Sequence, residues 1–406
     1  MNRALFSGLS GTVAFQERLD VVGNNIANSN TVAYKEGRAT FEDALYQTLE
    51  GGRSGSDVGI GGTSPVQIGS GVSLSSVTIQ HNQGAFERTG QPLDAAIEGA
   101  GMFVLRDSEG VYYTRAGTFS LDDTNTLVSS GSGHRVMGWP ATDGVVDANG
   151  TPTALTFDIS ALAPPVATTA ATVAGNLDAT AATGDTVTAT ISLYDSLGEP
   201  HEVELLFTKT ATVGEWDCVA TCGASTASGT TQFGADGALT AGGSLTLDIA
   251  LANGATTPLS VAIDLADLTS VAQSNTVAVQ SQDGRPAASL VSVELSDDGF
   301  VQGHYSDGRS RTLAQVALAS FSNAGGLRHV GANLYAEAPA SGPPLVGAAG
   351  TGGRGAIVAG SLEMSNVDLT RAFVDMITTQ RGFQASTRVI ATANEMLDDV
   401  VRLIRT

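Results

Sequence analysis

GSLEMSNVDLTRAFVDMITTQRGFQASTRVIATANEMLDDVVRL (Gly360–Leu403) is the stretch on which the reading of this chain turns. Within it Leu369, Phe373, Met376, Gln380, Phe383, Thr387, Ile390, Asn394 and Leu397 recur at alternating four- and three-residue steps, and Val401 and Ile404 carry the rhythm almost to the last residue. That period predicts one long helix with a heptad seam. Ser365 and Asp368, three residues apart ahead of the apolar run, predict a capping box at its start. Roughly forty residues of helix make a rod about 60 Å long.

The same rhythm opens the chain. Leu5, Leu9, Thr12, Gln16, Leu19, Gly23 and Ile26 predict a helix over about Arg3–Ile26. It stops in GNNIANSNTVAYKEG (Gly23–Gly37), where Asn24, Asn25, Asn28 and Asn30 fall within seven residues. Asn competes for local backbone hydrogen bonds and tolerates left-handed geometry, so such a cluster ends a helix and redirects the chain. Both seams carry Gln, Thr or Asn, which pack poorly in a simple two-helix pair. Long exposed helices are marginal alone. Seams of this kind bury on each other or on further copies, which is the first sign of a polymer.

Between the helices the chain reads as β. MFVLRDSEGVYYT (102–114) is a hairpin turning at Arg106–Gly110, and ISLYDSLGEPHEVELLFTK (191–209) repeats the device with DSLGEP as its turn. Further turns fall at Asp297–Gly299 and Ser306–Gly308. Short strands between Gly/Asp turns predict sandwiches or barrels. Gly/Ser-rich 50–71, Ala/Thr/Pro-rich 140–185 and Gly/Pro-rich 338–356 mark boundaries. The expected fold is mainly β with paired helical termini, nested as four layers: a helical domain (1–30 with 360–406) forming a coiled-coil-like inner layer, an extended connector (31–71 with 359–364), a middle β domain (72–145 with 285–358) and an outer β domain (146–284).

Composition narrows function. The 406-residue chain carries a net charge of −21, and Lys35 and Lys209 are its only lysines, so neither nucleic acid nor an anionic membrane is an expected partner. No apolar run is long enough to span a membrane, and the N-terminus lacks the pattern of a cleaved signal peptide. Export by a route without a cleaved signal is therefore one expectation. Cys218 and Cys222 form a CxxxC with no further Cys or His beside them in sequence, which favours structural thiols over metal ligands and leaves a local disulfide as the lesser reading. His81, His134, His201, His304 and His329 stand in no catalytic motif. On a strand His201 shares a face with Val203 rather than with Glu202 and Glu204. Asp122–Asp123 and Asp297–Asp298 sit beside turn residues, where Asp is expected anyway. No catalytic, cofactor or metal site is expected.

NNIANSNTVAYKEGRATFEDAL (24–45) resembles the N-terminal signature of the bacterial flagellar rod and hook protein family, carried here by Ala27, Asn28, Asn30, Thr31, Tyr34 and Lys35. Ala33 stands where that family usually has Gly. IEGAGMFVL (97–105), with Gly99 and Gly101, is similar to a second family element, and YTRAGTFSLD (113–122), with Thr114, Arg115, Gly117 and Phe119, to a third. The quoted C-terminal stretch resembles the fourth along nearly its whole length. The interior, notably FGADGAL (233–239) and 298–342, is similar to hook members, whereas distal rod members lack a comparable insertion at 146–284. The resemblance implies a structural subunit of a curved tube, the hook, that joins the flagellar motor to its filament. It implies partners too: further copies in a helical homopolymer, a hook cap, distal rod and hook–filament junction proteins, and the flagellar type III export apparatus. Location would be the extracellular hook. Leu5, Leu9, Leu19, Ile26, Leu369, Phe373, Met376, Phe383, Ile390, Leu397, Val401 and Ile404 are the expected subunit-packing seam. The alternatives are another axial protein such as distal rod, or an extracellular β-rich adhesin.

Overall fold

The computed structural model describes residues 2–53, 62–158 and 162–404. Two helices bracket a succession of strands, so the chain is mainly β with helical ends. Helix α1 is Asn2–Ala27 and helix α2 is Leu369–Ile404. At 36 residues α2 is about 54 Å long. It starts later than a capping box at Ser365 requires. Asp368 is its cap, accepting the N–H groups of Thr370 at 2.9 Å and Arg371 at 3.2 Å. The residues before it are committed elsewhere: Asn366 is bonded to the backbone of Glu36, Gln80 and Asn82.

Contacts divide the chain into two compact units. The first comprises Met1–Phe157, Val293–Gln302 and Thr312–Thr406, and therefore holds both helices. Its connector region is a ribbon. Gly37–Asp43 pairs antiparallel with Val72–Ile79, and Tyr46–Glu50 with Val66–Gly69. The middle of the Gly/Ser-rich stretch, 54–61, lies outside the described residues. The unit's main sheet is built on the hairpin of Met102–Arg106 and Val111–Thr114, whose turn is held by Asp107 accepting from the N–H groups of Glu109 and Gly110. Arg135–Thr142 pairs with the hairpin's first strand and with Ser310–Val316. Met102, Val104, Tyr113, Met137, Trp139, Ala317 and Tyr335 make one of its cores.

The second unit, Asp158–Ser292 with Gly303–Arg311, contains a β-sandwich. One sheet is an antiparallel meander of Thr186–Tyr194, Pro200–Lys209, Glu215–Cys222, Ser225–Phe233 and Leu239–Ala241. The other runs Ser244–Ile249, Leu259–Thr269, Ala170–Asn176 and Ala278–Gln282, its two central strands parallel. Burial alternates strictly along Thr190–Leu193 and Val203–Phe207, so every second side chain enters the space between sheets. Leu193, Val203, Leu205, Phe207, Trp216, Leu247, Val261 and Ile263 fill it, all essentially without solvent contact. Cys218 and Cys222 are free thiols on one strand, four residues and hence about 13 Å apart along it, too far for a disulfide.

Candidate assembly surface and its ionic anchor

Helices α1 and α2 lie side by side and antiparallel, Gly8 meeting Ile390 and Arg18 meeting Asp375. Their contact line is one residue away from the heptad line expected on each. A side chain on Gly8 would come within 2.9 Å of Ile390 Cγ1, one on Gly11 within 2.8 Å of Ser386 Oγ, and one on Gly382 within 2.5 Å of the Phe15 ring. Ala14 and Val22 on α1, and Ala372, Thr379 and Ala393 on α2, are the buried neighbours. Small residues win the contact because they let the axes approach; the buried hydroxyls of Thr12 and Thr379 are satisfied by the carbonyls of Leu9 and Asp375. Of the expected seam, Leu5, Leu19, Ile26, Met376, Phe383, Ile390 and Leu397 are half-buried, whereas Leu9, Leu369, Phe373 and Val401 are exposed. The side chain of Ile404 lies outside the described set. The closest approach of the two helices is made by small residues beside the expected line, and of that line Ile390 packs against Gly8.

What remains uncovered is apolar. Phe6, Leu9 and Val13 form a stripe on α1, at 66%, 53% and 48% exposure. Leu369, Phe373 and Ile377 form one on the first turns of α2, and Val389, Met396, Val400 and Leu403 another further along. Polar solvent-facing helices do not look like this, and contiguous apolar stripes mark contact surfaces.

At the end of α1 the asparagine cluster folds into a small knot. Asn25 is buried and acts as a clamp, donating to the Gly37 carbonyl at 2.8 Å while its Oδ1 accepts from Gly37 N–H and the Tyr34 hydroxyl. Asn28 donates back to the Asn24 carbonyl and receives the Thr31 hydroxyl. Ala33 lies in the left-handed region at φ 58° with its N–H on the Glu363 carbonyl. Ala27 and Asn30 are exposed.

Beyond the knot sits a buried ionic triad. Lys35 Nζ lies 2.6 Å from Glu363 Oε1, and Arg115 Nε lies 2.8 Å from Oε2 of the same carboxylate. The guanidinium also donates to the carbonyls of Ile97, Gly99 and Gly101, and Lys35 to that of Asn82. Burial raises the proton affinity of Glu363, but the Arg115 charge, the Lys35 ammonium and the Gly84 N–H outweigh it and hold the carboxyl below its usual range. Gly99 and Gly101 are at positive φ, 99° and 133°, which turns their carbonyls toward the guanidinium. Gly117 is packed so closely that a Cβ would sit 1.7 Å from the Ala95 carbonyl oxygen. Thr114 donates to the Asn333 carbonyl, Asn333 donates to that of Val32, and Phe119 stacks edge-on against Phe103. The structure thus gathers Lys35, Gly99, Gly101 and Arg115 from three motifs around one acid. Glu363, Asn366 and Asn333 were missed as site residues. No local signal marked Glu363, which stands 328 residues from Lys35 and 248 from Arg115.

Four family profiles match in chain order: flagella basal body rod protein over 5–35, flagellar hook protein FlgE/F/G D1 domain over 96–162, flagellar basal body protein FlaE D2 domain over 165–285, and flagellar basal body rod FlgEFG protein C-terminal over 358–403. The chain is 34% identical to the flagellar hook protein FlgE of Treponema pallidum (strain Nichols), covering 100% of both chains. It is 34% identical to FlgE of Salmonella typhimurium (strain LT2), covering 97% of this chain and 98% of that protein. It is 30% identical to the flagellar basal-body rod protein FlgG of Bacillus subtilis (strain 168), covering 100% of both.

Proposed function

This chain belongs to the flagellar hook and basal-body rod protein family, and from that premise we propose that it is the structural subunit of the hook, a curved tube that transmits motor torque to the filament as a universal joint. The observation that carries the reading is the pair of terminal helices joined through small residues with their large apolar side chains left outward. A protein that ended its assembly as a monomer would bury Phe6, Phe373 and Ile377. A homopolymer gives those stripes a partner at every subunit. The role is mechanical rather than catalytic, and export proceeds through the flagellar type III apparatus. The cap, distal rod and hook–filament junction proteins are the further partners this reading implies. We place the helices in the inner layer of the tube, with the ribbon as their connector.

The β-sandwich between the two helices favours hook over rod, while the full-length match to a rod protein keeps rod as the second reading. Electron microscopy of the purified protein under polymerising conditions separates them. Curved tubes are the expected product. Straight tubes would favour rod, and a protein that stays monomeric at all concentrations would refute both.

A further inference from the structure

The second unit carries a polar cluster apart from the helical stripes and the ionic triad. Asp195 opens the turn before the strand Pro200–Lys209, and one of its carboxylate oxygens accepts the N–H groups of Leu197 and Glu199 at 2.9 Å each. That half is ordinary turn chemistry. The other oxygen, Oδ2, faces His201 Nε2 at 3.1 Å and Asn253 Nδ2 at 2.6 Å. Glu199 Oε2 also lies 2.6 Å from the same amide nitrogen. Two carboxylates, one of them fully buried, therefore converge on a single neutral donor in a chain that is already strongly acidic.

We propose that Asp195, Glu199 and His201, completed by Asn253, form a site for a divalent transition-metal cation, with Zn2+ as its representative. The ligand atoms of the first three residues all lie within 4.8 Å of one another. Metal–ligand bonds of about 2.0–2.4 Å place opposite ligands at most about 4.8 Å apart, so the cluster needs no backbone movement to surround an ion. The amide nitrogen of Asn253 occupies the point on which the two carboxylates converge. Rotating that amide presents Oδ1 instead, and the set becomes three oxygens and one imidazole nitrogen. Imidazole favours Zn2+ and its neighbours over Ca2+. Glu199, His201 and Asn253 line a cleft of about 440 Å3 open to solvent, together with Cys222. Asp195 is held in place for ligation by the N–H groups of Leu197 and Glu199 on Oδ1, which leaves Oδ2 directed at the cluster. A cation there would fasten the turn at 195–200 to the loop that carries Asn253, stiffening one end of the sandwich.

Titration calorimetry of the chelator-treated, full-length monomer with Zn2+ alone tests the site, with thermal melting as a second readout. One saturable site is expected, and at about 100-fold excess over its Kd the melting temperature should rise by several degrees. Glu199→Gln, at an exposed position that cannot compromise folding, should weaken Kd at least tenfold, as should His201→Gln. Asn253→Asp supplies a third carboxylate and should tighten it. Cys222→Ser should leave the affinity unchanged. Absence of saturable binding, indifference to Glu199→Gln, indifference to Asn253→Asp, or loss of binding in Cys222→Ser would each overturn the proposal, leaving the four residues as a hydrogen-bonded turn.

Discussion

The sandwich and the helix pair solve the same problem in opposite ways. In the sandwich, strict alternation sends Leu205, Phe207, Trp216 and Leu247 inward from both sheets, and the core closes within the unit. In the helix pair, the closest approach is made at Gly8, Gly11, Gly382 and Ser386, and apolar stripes such as Phe6, Leu9 and Val13 or Leu369, Phe373 and Ile377 stay outside. The first region is finished on folding; the second is finished only by neighbours. Burial in a monomer and importance in an assembly are therefore separate quantities, and a substitution can damage one while sparing the other.

The sharpest attack on that contrast is Phe373→Asp. Phe373 is half exposed, so the monomer should melt within about 0.5 kcal/mol of wild type. In a tube the change forfeits about 1.5–3 kcal/mol of burial at every subunit and adds an unpaired carboxylate costing several more. Polymerisation, followed by sedimentation, should be abolished. Normal tubes from this variant would show that the stripe on α2 faces solvent in the assembly too.

Glu363→Ala tests the anchor. It leaves Lys35 and Arg115 buried without their counter-charge, and should cost about 3–5 kcal/mol by chemical denaturation. A loss below about 1 kcal/mol would mean that the three motifs are held by backbone contacts alone. Leu205→Ala is the counterpart in the closed region. It should cost about 2–5 kcal/mol of sandwich stability, yet the protein should still polymerise at temperatures where it is folded. Failure to polymerise while folded would contradict the division of labour.

The difference between the regions also explains which parts of the structure were legible in the sequence. Alternation and turn chemistry are local, so the hairpins at 102–114 and 191–209 could be read directly. Heptad spacing located both helices for the same reason. It does not mark where the helices come closest, because Gly8 and Gly382 carry no hydrophobic signal and act by allowing close approach. The triad was illegible in a different way. Glu363 sits 328 residues from Lys35 and 248 from Arg115, and nothing around SLEM announces a buried acid. Cys218 and Cys222 look pairable as CxxxC and become unpairable once the segment is a strand.

Acid sensitivity should follow the sandwich. The Asp195 carboxyl titrates at about 2 in the folded protein against an ordinary 3.8, so it contributes stability above pH 4 that is lost as pH falls toward 2. Such a shift corresponds to roughly 2 kcal/mol. Denaturation at pH 5 and at pH 2.5 should therefore diverge less in Asp195→Asn than in wild type. An identical pH dependence in the two would show that the turn at 195–200 is equally stable with a neutral side chain.

The smallest effect is expected where two terms nearly cancel, at Ala33. Its left-handed backbone costs a residue with a Cβ about 1–2 kcal/mol, so Ala33→Gly relieves that strain. Two losses oppose the gain. The methyl group is buried, and removing it forfeits about 0.8 kcal/mol. A glycine also gives the unfolded chain more freedom, costing about 0.4–1 kcal/mol. The sum lies within about 1 kcal/mol of zero, and chemical denaturation should show Ala33→Gly close to wild type in stability. A loss above about 2 kcal/mol would show that the methyl packs as a plug between the asparagine knot and the Glu363 backbone. A gain of that size would show the opposite, that the connection from α1 to the ribbon stores strain which the rest of the first unit holds in place.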